Sequence, residues 1–351
     1  MTTDEITLFR EGRPDVPEYD RMAKARLRAR LGAEAPASRA GRRLPRRGFL
    51  AAGALGGAAA VAVAVAVAGG GQSRHEPGSL ALRPVGGPQD LAHNAALVAA
   101  TKPVPKIGPT QWAYLKTVYA ETREGGGRPL FGTPEKTRTQ ELWRRTDGRR
   151  FAVIEDGRLR VAEGSKYTPT YPELLFLPTD PRALLARIYK TVDAEYARSL
   201  AEWGKPIPEG ATKRTREKYA LMKKAKPKPP TAEERDSMAF ELVSRSMRDA
   251  VLPSKIEAAL YGAAARIPGV RYEPAAADLG RRRGVTLYRV ENGYLRSEIL
   301  IDPKTYAYLG FRAIAVKDHR EPGLLPLKRG QITGWGALTA SSFVPKPGGR
   351  G

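Results

Sequence analysis

Short runs in which apolar and polar residues alternate predict β-strands along the C-terminal two thirds of the chain. Four runs lie at 111–120, 140–146, 150–155 and 158–161, and four more at 285–290, 294–301, 309–316 and 331–344. The turn signals Asp147-Gly148, Asp156-Gly157 and Asn292-Gly293 separate neighbouring runs. Asp-Gly and Asn-Gly between short apolar runs are typical of antiparallel hairpins.

Between the two sets of strands, apolar residues recur at helical spacing. One helix is predicted after Thr179-Asp180-Pro181, and two more over 236–250 and 253–265. Strands, then helices, then strands indicate an α+β domain, a twisted antiparallel sheet with helices packed on one face. By analogy with periplasmic lipoprotein-carrier and sigma-regulatory folds, such a face can form a groove. Trp112 and Trp143 are the candidate groove aromatics, although both positions also suit a sheet core.

An uncharged run of 20 residues, Phe49–Ala68, precedes the domain. A helix of that length spans about 30 Å, the hydrocarbon thickness of a bilayer. The run therefore predicts a transmembrane helix or signal-anchor. Four arginines just before it, Arg42, Arg43, Arg46 and Arg47, orient the membrane segment with the N-terminus in the cytoplasm.

The same junction supports an alternative. Arg46-Arg47-Gly48-Phe49-Leu50 resembles a twin-arginine export signal, and Ala64-Val65-Ala66 offers a signal-peptidase site. Cleavage there would release a soluble protein that begins near Val67.

The predicted layout has five parts. Residues 1–48 form a basic cytoplasmic segment, 49–68 the membrane helix, 69–108 a linker containing a short helix over 90–100, and 109–344 the extracytoplasmic domain with a mobile insertion at 205–234; residues 345–351 are expected to be disordered. In the first segment a short helix is predicted over 18–31, on which Met22, Leu27 and Leu31 give a thin apolar stripe. That helix either docks on a cytoplasmic partner or lies on anionic lipid.

Composition narrows the function. The chain has no cysteine and three scattered histidines, so disulfides, thiolate metal sites and a cysteine nucleophile are excluded, and no metal or cofactor is expected. The net charge of +23 favours anionic lipid or wall polymer as partners. The export signal and the lack of a nucleic-acid motif argue against nucleic acid. No hydrolase or nucleotide-binding motif is present, which favours a non-enzymatic protein.

Three further motifs have a structural and a functional interpretation. Asp147 and Asp156 suit turns better than a catalytic carboxylate pair, and 302–306 suits a turn better than a ligand loop. Arg281-Arg282-Arg283 could hold phosphate or lipid head groups, or form a solvated loop.

The whole layout resembles a family of actinobacterial single-pass membrane proteins that are often encoded beside alternative sigma factors. The resemblance covers nearly the whole chain outside the insertion. The matching pieces are Asp4-Glu5 with Leu8, 13–17, the arginine-rich junction, Trp112 with Tyr114, 177–181, 265–270 and 302–306. The twin-arginine-like junction departs from that pattern. The resemblance implies a plasma-membrane protein with an accessory role in regulating a sigma factor. Because cysteine is absent, any sigma-factor contact would be metal-free.

Overall fold

A computed structural model of the chain describes residues 80–121, 129–164, 169–207, 227–320 and 326–350, together with 210, 216 and 220. This part is an α+β structure with one large antiparallel sheet and five helices, the class that the hydrophobic pattern predicts. Within it, no helix combines the length and the apolar character needed to cross a membrane. The predicted span 49–68 lies outside the described residues.

The sheet has ten strands. In chain order they are β1 Trp112–Ala120, β2 Leu130–Phe131, β3 Thr137–Arg145, β4 Arg150–Glu155, β5 Arg158–Glu163, β6 Arg271–Ala277, β7 Arg283–Glu291, β8 Leu295–Ile301, β9 Tyr308–Ala315 and β10 Gln331–Val344. The helices are α1 Pro88–Thr101, α2 Tyr171–Leu175, α3 Pro181–Gly204, α4 Ala232–Asp249 and α5 Ser254–Ala264.

The first long strand and the last lie side by side in the middle of the sheet. The strand order is β5-β4-β3-β1-β10-β9-β8-β7-β6, and β2 pairs with β10. Trp112 of β1 lies opposite Arg145 of β3 on one side and Val344 of β10 on the other. The β1–β10 pair therefore joins the two predicted sets of strands into a single sheet.

The hairpins have the backbone geometry that their turn residues favour. Asp156 and Gly157 both have positive φ, 50° and 74°, and so do Asn292 and Gly293, 50° and 68°. Two consecutive residues in the left-handed region form the tight turn that matches the twist of antiparallel strands. The turn prediction at Asp156 is therefore confirmed.

Helix α3 begins at its predicted capping residue, whereas α4 begins before the predicted start at 236. The Asp180 carboxylate accepts a hydrogen bond from the Ala183 N–H at 2.8 Å, and α3 starts at Pro181. Before α4, Thr231 and Glu234 form a reciprocal capping box. Residues 231–234 are therefore a helix start, and the insertion predicted over 205–234 ends earlier.

The main core lies between the helices and the strands β7 and β8. Phe240 and Val243 of α4 and Leu287 and Ile299 of the sheet are fully buried within it. Helix α1 belongs to this core, since Leu91 is also fully buried. Helix α1 is the short helix predicted over 90–100 within the linker, and its apolar face packs on α5.

A second core lies on the opposite face of β1 and β3. It contains Trp112, Tyr114 and Trp143, with Ala152 and Val344. Residues 345–350, expected to be disordered, lie against this face: the Trp143 Nε1–H donates to the carbonyl oxygen of Gly349 at 2.7 Å. That expectation is wrong for 345–350, because a buried indole and an ion pair order a segment that its composition alone would leave mobile.

The contacts divide the chain into two units. All ten strands and five helices belong to the larger unit, Gly56–Lys317 with Arg329–Gly351. The smaller unit includes Asp318–Lys328. In its described residues, the Lys328 ammonium pairs with the Asp318 carboxylate at 2.8 Å, and His319 forms a β-bridge with Leu327.

Candidate anion-binding cleft

A cleft lined by several arginines opens between the sheet and helix α2. Its floor is formed by Leu115 of β1 and Arg144 of β3, which lie opposite the face that carries Trp112 and Tyr114. One wall is α2 and the other is the segment 249–251 that follows α4. The arginine cleft, as we call it, is defined by Arg144, Arg145, Arg150, Tyr171, Asp249 and Ala250; it is open to solvent and has a cavity volume of about 30 Å³.

Arg144 is the most deeply placed cation of the cleft. Its Nη1 donates to the carbonyl oxygen of Asp249 at 2.5 Å, while its Nε is buried and has no partner among the described residues. Burial lowers the pKa of Arg144 from its ordinary value, although the nearby Asp249 carboxylate partly opposes this. That carboxylate also pairs with the Arg248 guanidinium at 3.0 Å. Arg144 therefore keeps a charge that its surroundings only partly neutralise.

The β3–β4 hairpin brings two further arginines to the rim. Arg145 holds both carboxylate oxygens of Asp147, at 2.9 and 2.6 Å. This hydrogen bonding lowers the pKa of the Asp147 carboxyl, which also accepts from the Arg149 N–H at 3.0 Å. The predicted turn role of Asp147 is thereby confirmed. Arg150 pairs loosely, at 3.4 Å, with a largely exposed Glu163.

Tyr171 supplies an uncharged donor to the same cleft. Its ring packs edge-on against Phe343, with 4.8 Å between the ring centroids, and the residue is only 6% exposed. The hydroxyl is buried and has no partner among the described residues. Burial raises the pKa of Tyr171, so the phenol keeps its proton and remains a donor.

This arrangement suits an oxyanion. Two buried donors, the Arg144 Nε–H and the Tyr171 O–H, have no acceptor in the described part of the chain, and residues Arg145 and Arg150 also line the cleft. Buried donors without acceptors are costly, and arginine is the side chain that best matches phosphate or carboxylate. The arginines and the tyrosine among the lining residues suit binding by charge and hydrogen bonds.

The two tryptophans that the sequence suggests as groove aromatics do share one face. Trp112 is 6% exposed and Trp143 is 0% exposed, and the Trp143 ring stacks on Tyr114 with 5.0 Å between centroids. Residues 345–350 lie over this face. Trp112 and Trp143 therefore line no open groove, and act as core residues where the structure places them.

The other candidate residues of the N-terminal part fall outside the described residues. These are the membrane-orienting Arg42, Arg43, Arg46 and Arg47 and the partner-docking Met22, Leu27 and Leu31.

The two remaining motifs have structural roles. Asp302 accepts from the N–H groups of Lys304 and Thr305, at 2.9 and 2.7 Å, and so closes the turn between β8 and β9. Arg282, the central arginine of its run, holds the buried Asp278 carboxylate at 2.6 Å and also donates to the Leu338 carbonyl oxygen. Its guanidinium is thus engaged within the fold.

Sequence reasoning missed the arginine cleft, although a signal was present. Arginine pairs flank the predicted turn on both sides, at 144–145 and 149–150, so a hairpin necessarily brings them together. The pattern could not show that α2 and the residues after α4 would cover the Arg144 side of that hairpin.

Among the residues that the structure describes, no group of three or more histidines or acidic residues is arranged to hold a metal ion. No protein-family model, no curated protein and no solved structure matches this chain.

Proposed function

We propose that this chain is a non-enzymatic single-pass membrane protein whose basic α+β domain lies outside the plasma membrane and binds an anionic group in the arginine cleft. The observation that carries the binding proposal is the buried Arg144 Nε, which has no acceptor among the described residues. The nearby Asp249 carboxylate neutralises the charge of Arg144 only in part, because it also pairs with Arg248. The uncharged run Phe49–Ala68 and the arginines before it support the proposed location and orientation.

The bound group is an oxyanion on a surface that the domain would meet outside a cell. Anionic lipid head groups and anionic wall polymers both present phosphate or carboxylate oxygens. Residues 49–351 carry 48 Lys/Arg and 30 Asp/Glu, and their net charge of +18 attracts either surface from a distance, but this attraction falls with added salt. A fixed pair of donors such as Arg144 and Tyr171 adds geometric selectivity that overall charge cannot give.

Titration of the full-length chain in phosphatidylcholine nanodiscs with inorganic phosphate would test the cleft. Replacing Arg144 with glutamine should weaken phosphate binding by at least about tenfold, because a buried charge-assisted hydrogen bond contributes about 1.5–3 kcal/mol. Nanodiscs that contain phosphatidylglycerol, and a soluble phosphodiester polymer, would then separate a lipid ligand from a wall-type ligand.

The chain offers a matched control pair on neighbouring strands. Arg150 pairs with Glu163 at 3.4 Å and lines the cleft, whereas Arg160 pairs with Glu155 at 3.3 Å and does not. Arg150→Gln and Arg160→Gln remove the same charge, so only the former should weaken phosphate binding if the cleft is the site. Equal effects of the two substitutions would show that binding reflects net charge alone.

We also propose that the cytoplasmic segment gives the protein an accessory role in regulating a sigma factor. Met22, Leu27 and Leu31 would supply the apolar stripe that contacts the sigma factor. Binding of an anionic group by the extracytoplasmic domain would alter the dimerisation or stability of the protein, and the cytoplasmic segment would transmit this change. Deleting residues 1–40 should abolish any effect of the protein on sigma-factor activity in a reporter assay. A persisting effect would rule out this role.

A second candidate is a soluble exported binding protein. It is favoured by Arg46-Arg47-Gly48-Phe49-Leu50, which has the pattern of a twin-arginine signal. Intact mass of the protein from membrane and extracellular fractions distinguishes the two candidates. A full-length mass in the membrane supports the anchored form, and a mass that begins near Val67 in the soluble fraction supports the exported form.

A further inference from the structure

Residues 345–350, which we call the strap, cross the face of the sheet opposite the arginine cleft. Strand β10 ends at Val344, and the next residues are Pro345, Lys346 and Pro347. A proline has no N–H group to donate to a strand ladder, so the ladder of β10 ends there. The strap then forms a turn, in which the Gly349 N–H donates to the Lys346 carbonyl oxygen at 3.3 Å and Gly348 has a positive φ of 84°.

The strap is anchored to an aromatic face, formed by Trp112, Tyr114 and Trp143. The Trp143 indole donates to the Gly349 carbonyl oxygen at 2.7 Å. Glycine suits the close approach here: a Cβ added at Gly348 would lie 3.2 Å from the Leu159 side chain, and one at Gly349 would lie 3.3 Å from Val344 Cβ.

An ion pair holds the end of the strap. The Arg350 Nε and Nη2 lie 3.0 and 2.9 Å from Oε2 of Glu141 on β3. The Glu141 side chain is 9% exposed, whereas that of Arg350 is 63% exposed. Glu141 is therefore a buried part of the sheet face, and Arg350 reaches it from the solvent side.

These contacts have the form of a protein holding a peptide ligand. An aromatic donor binds a main-chain carbonyl, a buried acid binds a basic side chain, and glycines allow close packing. Neither of the two polar contacts belongs to the backbone ladder of the sheet. The strap can therefore separate from the aromatic face without breaking the pairing of β10.

We propose that the aromatic face is a binding groove for a basic, glycine-containing turn of a partner protein, and that the strap occupies this groove until the partner segment displaces it. Glu141 selects the basic side chain, and Trp143 fixes the main chain one residue before it. The groove is independent of the arginine cleft, which lies on the other face of the same strands.

Fluorescence anisotropy with a labelled synthetic peptide of residues 343–350 tests the proposal. Full-length chain is compared with a chain truncated after Val344. A tethered segment competes at an effective concentration in the millimolar range, so the truncated chain should bind the peptide at least about tenfold more tightly. Glu141→Gln in the truncated chain should remove most of this binding. A control peptide with Arg350→Glu should not bind.

Two results would overturn the proposal. One is a truncated chain with an unchanged far-UV circular dichroism spectrum that fails to bind the peptide. The other is binding that Glu141→Gln leaves unchanged. If truncation prevents folding, the full-length chain with Arg350→Glu is used in place of the truncated chain, because the new carboxylate repels Glu141 and should release the strap. If this variant binds the peptide no more tightly than the unsubstituted chain does, the result counts against the groove.

Hydrogen exchange of the unsubstituted chain distinguishes between a strap that can be displaced and a strap that is a permanent part of the core. In a displaceable strap, the amides of 348–350 should exchange at least about 100-fold faster than the paired amides of β10, because the strap opens without global unfolding. Equal protection of the two segments would mean that the strap opens only when the domain unfolds, and would overturn the proposal.

Discussion

Replacing Arg289 with methionine should lower the free energy of unfolding by about 3 kcal/mol, whereas the same substitution at Arg235 should lower it by less than about 1 kcal/mol. Each arginine forms an ion pair that joins two different secondary-structure elements. Methionine is apolar and keeps a side chain of similar length in both variants. The contrast therefore isolates the effect of burial.

The magnitude follows from the surroundings of Arg289. This residue of β7 is 2% exposed, and its guanidinium donates to the Pro268 carbonyl oxygen at 2.9 Å and to the Ser237 hydroxyl at 2.5 Å. Methionine leaves the buried Ser237 hydroxyl without this donor, at about 1–3 kcal/mol, and removes the hydrogen bond to the exposed Pro268, at about 1 kcal/mol. The third contact, to Glu233 at 2.6 Å, adds less than about 1 kcal/mol, because the Glu233 side chain is 56% exposed.

Arg235 is the matched control, with better geometry but no burial. Its Nε and Nη2 hold both carboxylate oxygens of Asp193 at 2.7 Å, but the two side chains are 37% and 52% exposed. Solvent replaces these hydrogen bonds when the pair is broken, and exposed pairs contribute about 0.2–1 kcal/mol.

Denaturant unfolding of the full-length chain in mild detergent, followed by far-UV circular dichroism, measures both differences. The slope of stability against denaturant should stay constant across the three proteins, so that the midpoints report stability directly. A loss below about 1 kcal/mol for Arg289→Met, or an equal loss for Arg235→Met, would refute the argument that burial decides the contribution of these arginines.

Two other substitutions test buried positions. Burial raises the pKa of Glu257 above its ordinary value of 4.5, so the folded state holds the proton more tightly than the unfolded chain, and stability should fall as the pH rises through and above that value. Glu257→Gln cannot ionise, so its thermal midpoint relative to the unsubstituted chain should increase from pH 5 to pH 8; a difference that does not change with pH would contradict this. Gly310 has a φ of 155°, and a Cβ there would lie 2.1 Å from the carbonyl oxygen of Gly336. Gly310→Ala should therefore cost about 3 kcal/mol or more, while Gly293→Ala, with open space around a φ of 68°, should cost about 1 kcal/mol; similar thermal midpoints for the two variants would show that β9 and β10 can move apart.

Local features of the chain predicted most of the individual elements. Alternation and turn residues located β3, β4 and β5, because a two-residue turn and a period of two depend only on neighbouring residues. Asp180 and Pro181 located the start of α3 for the same reason. The strand β6 escaped detection, since Pro274 and three alanines lower its strand propensity; it lies at the edge of the sheet, where a proline is tolerated.

What the sequence by itself determined is the α+β class, the hairpins and the capped helices, all of which depend on interactions between residues close together in the chain. Tertiary structure decided the pairing of β1 with β10, the arginine cleft and the strap. Arg144 contacts a residue 105 positions away, and Trp143 contacts one 206 positions away. Such contacts depend on which faces are buried together when the whole chain folds, and no local pattern of hydrophobic and polar residues carries that information.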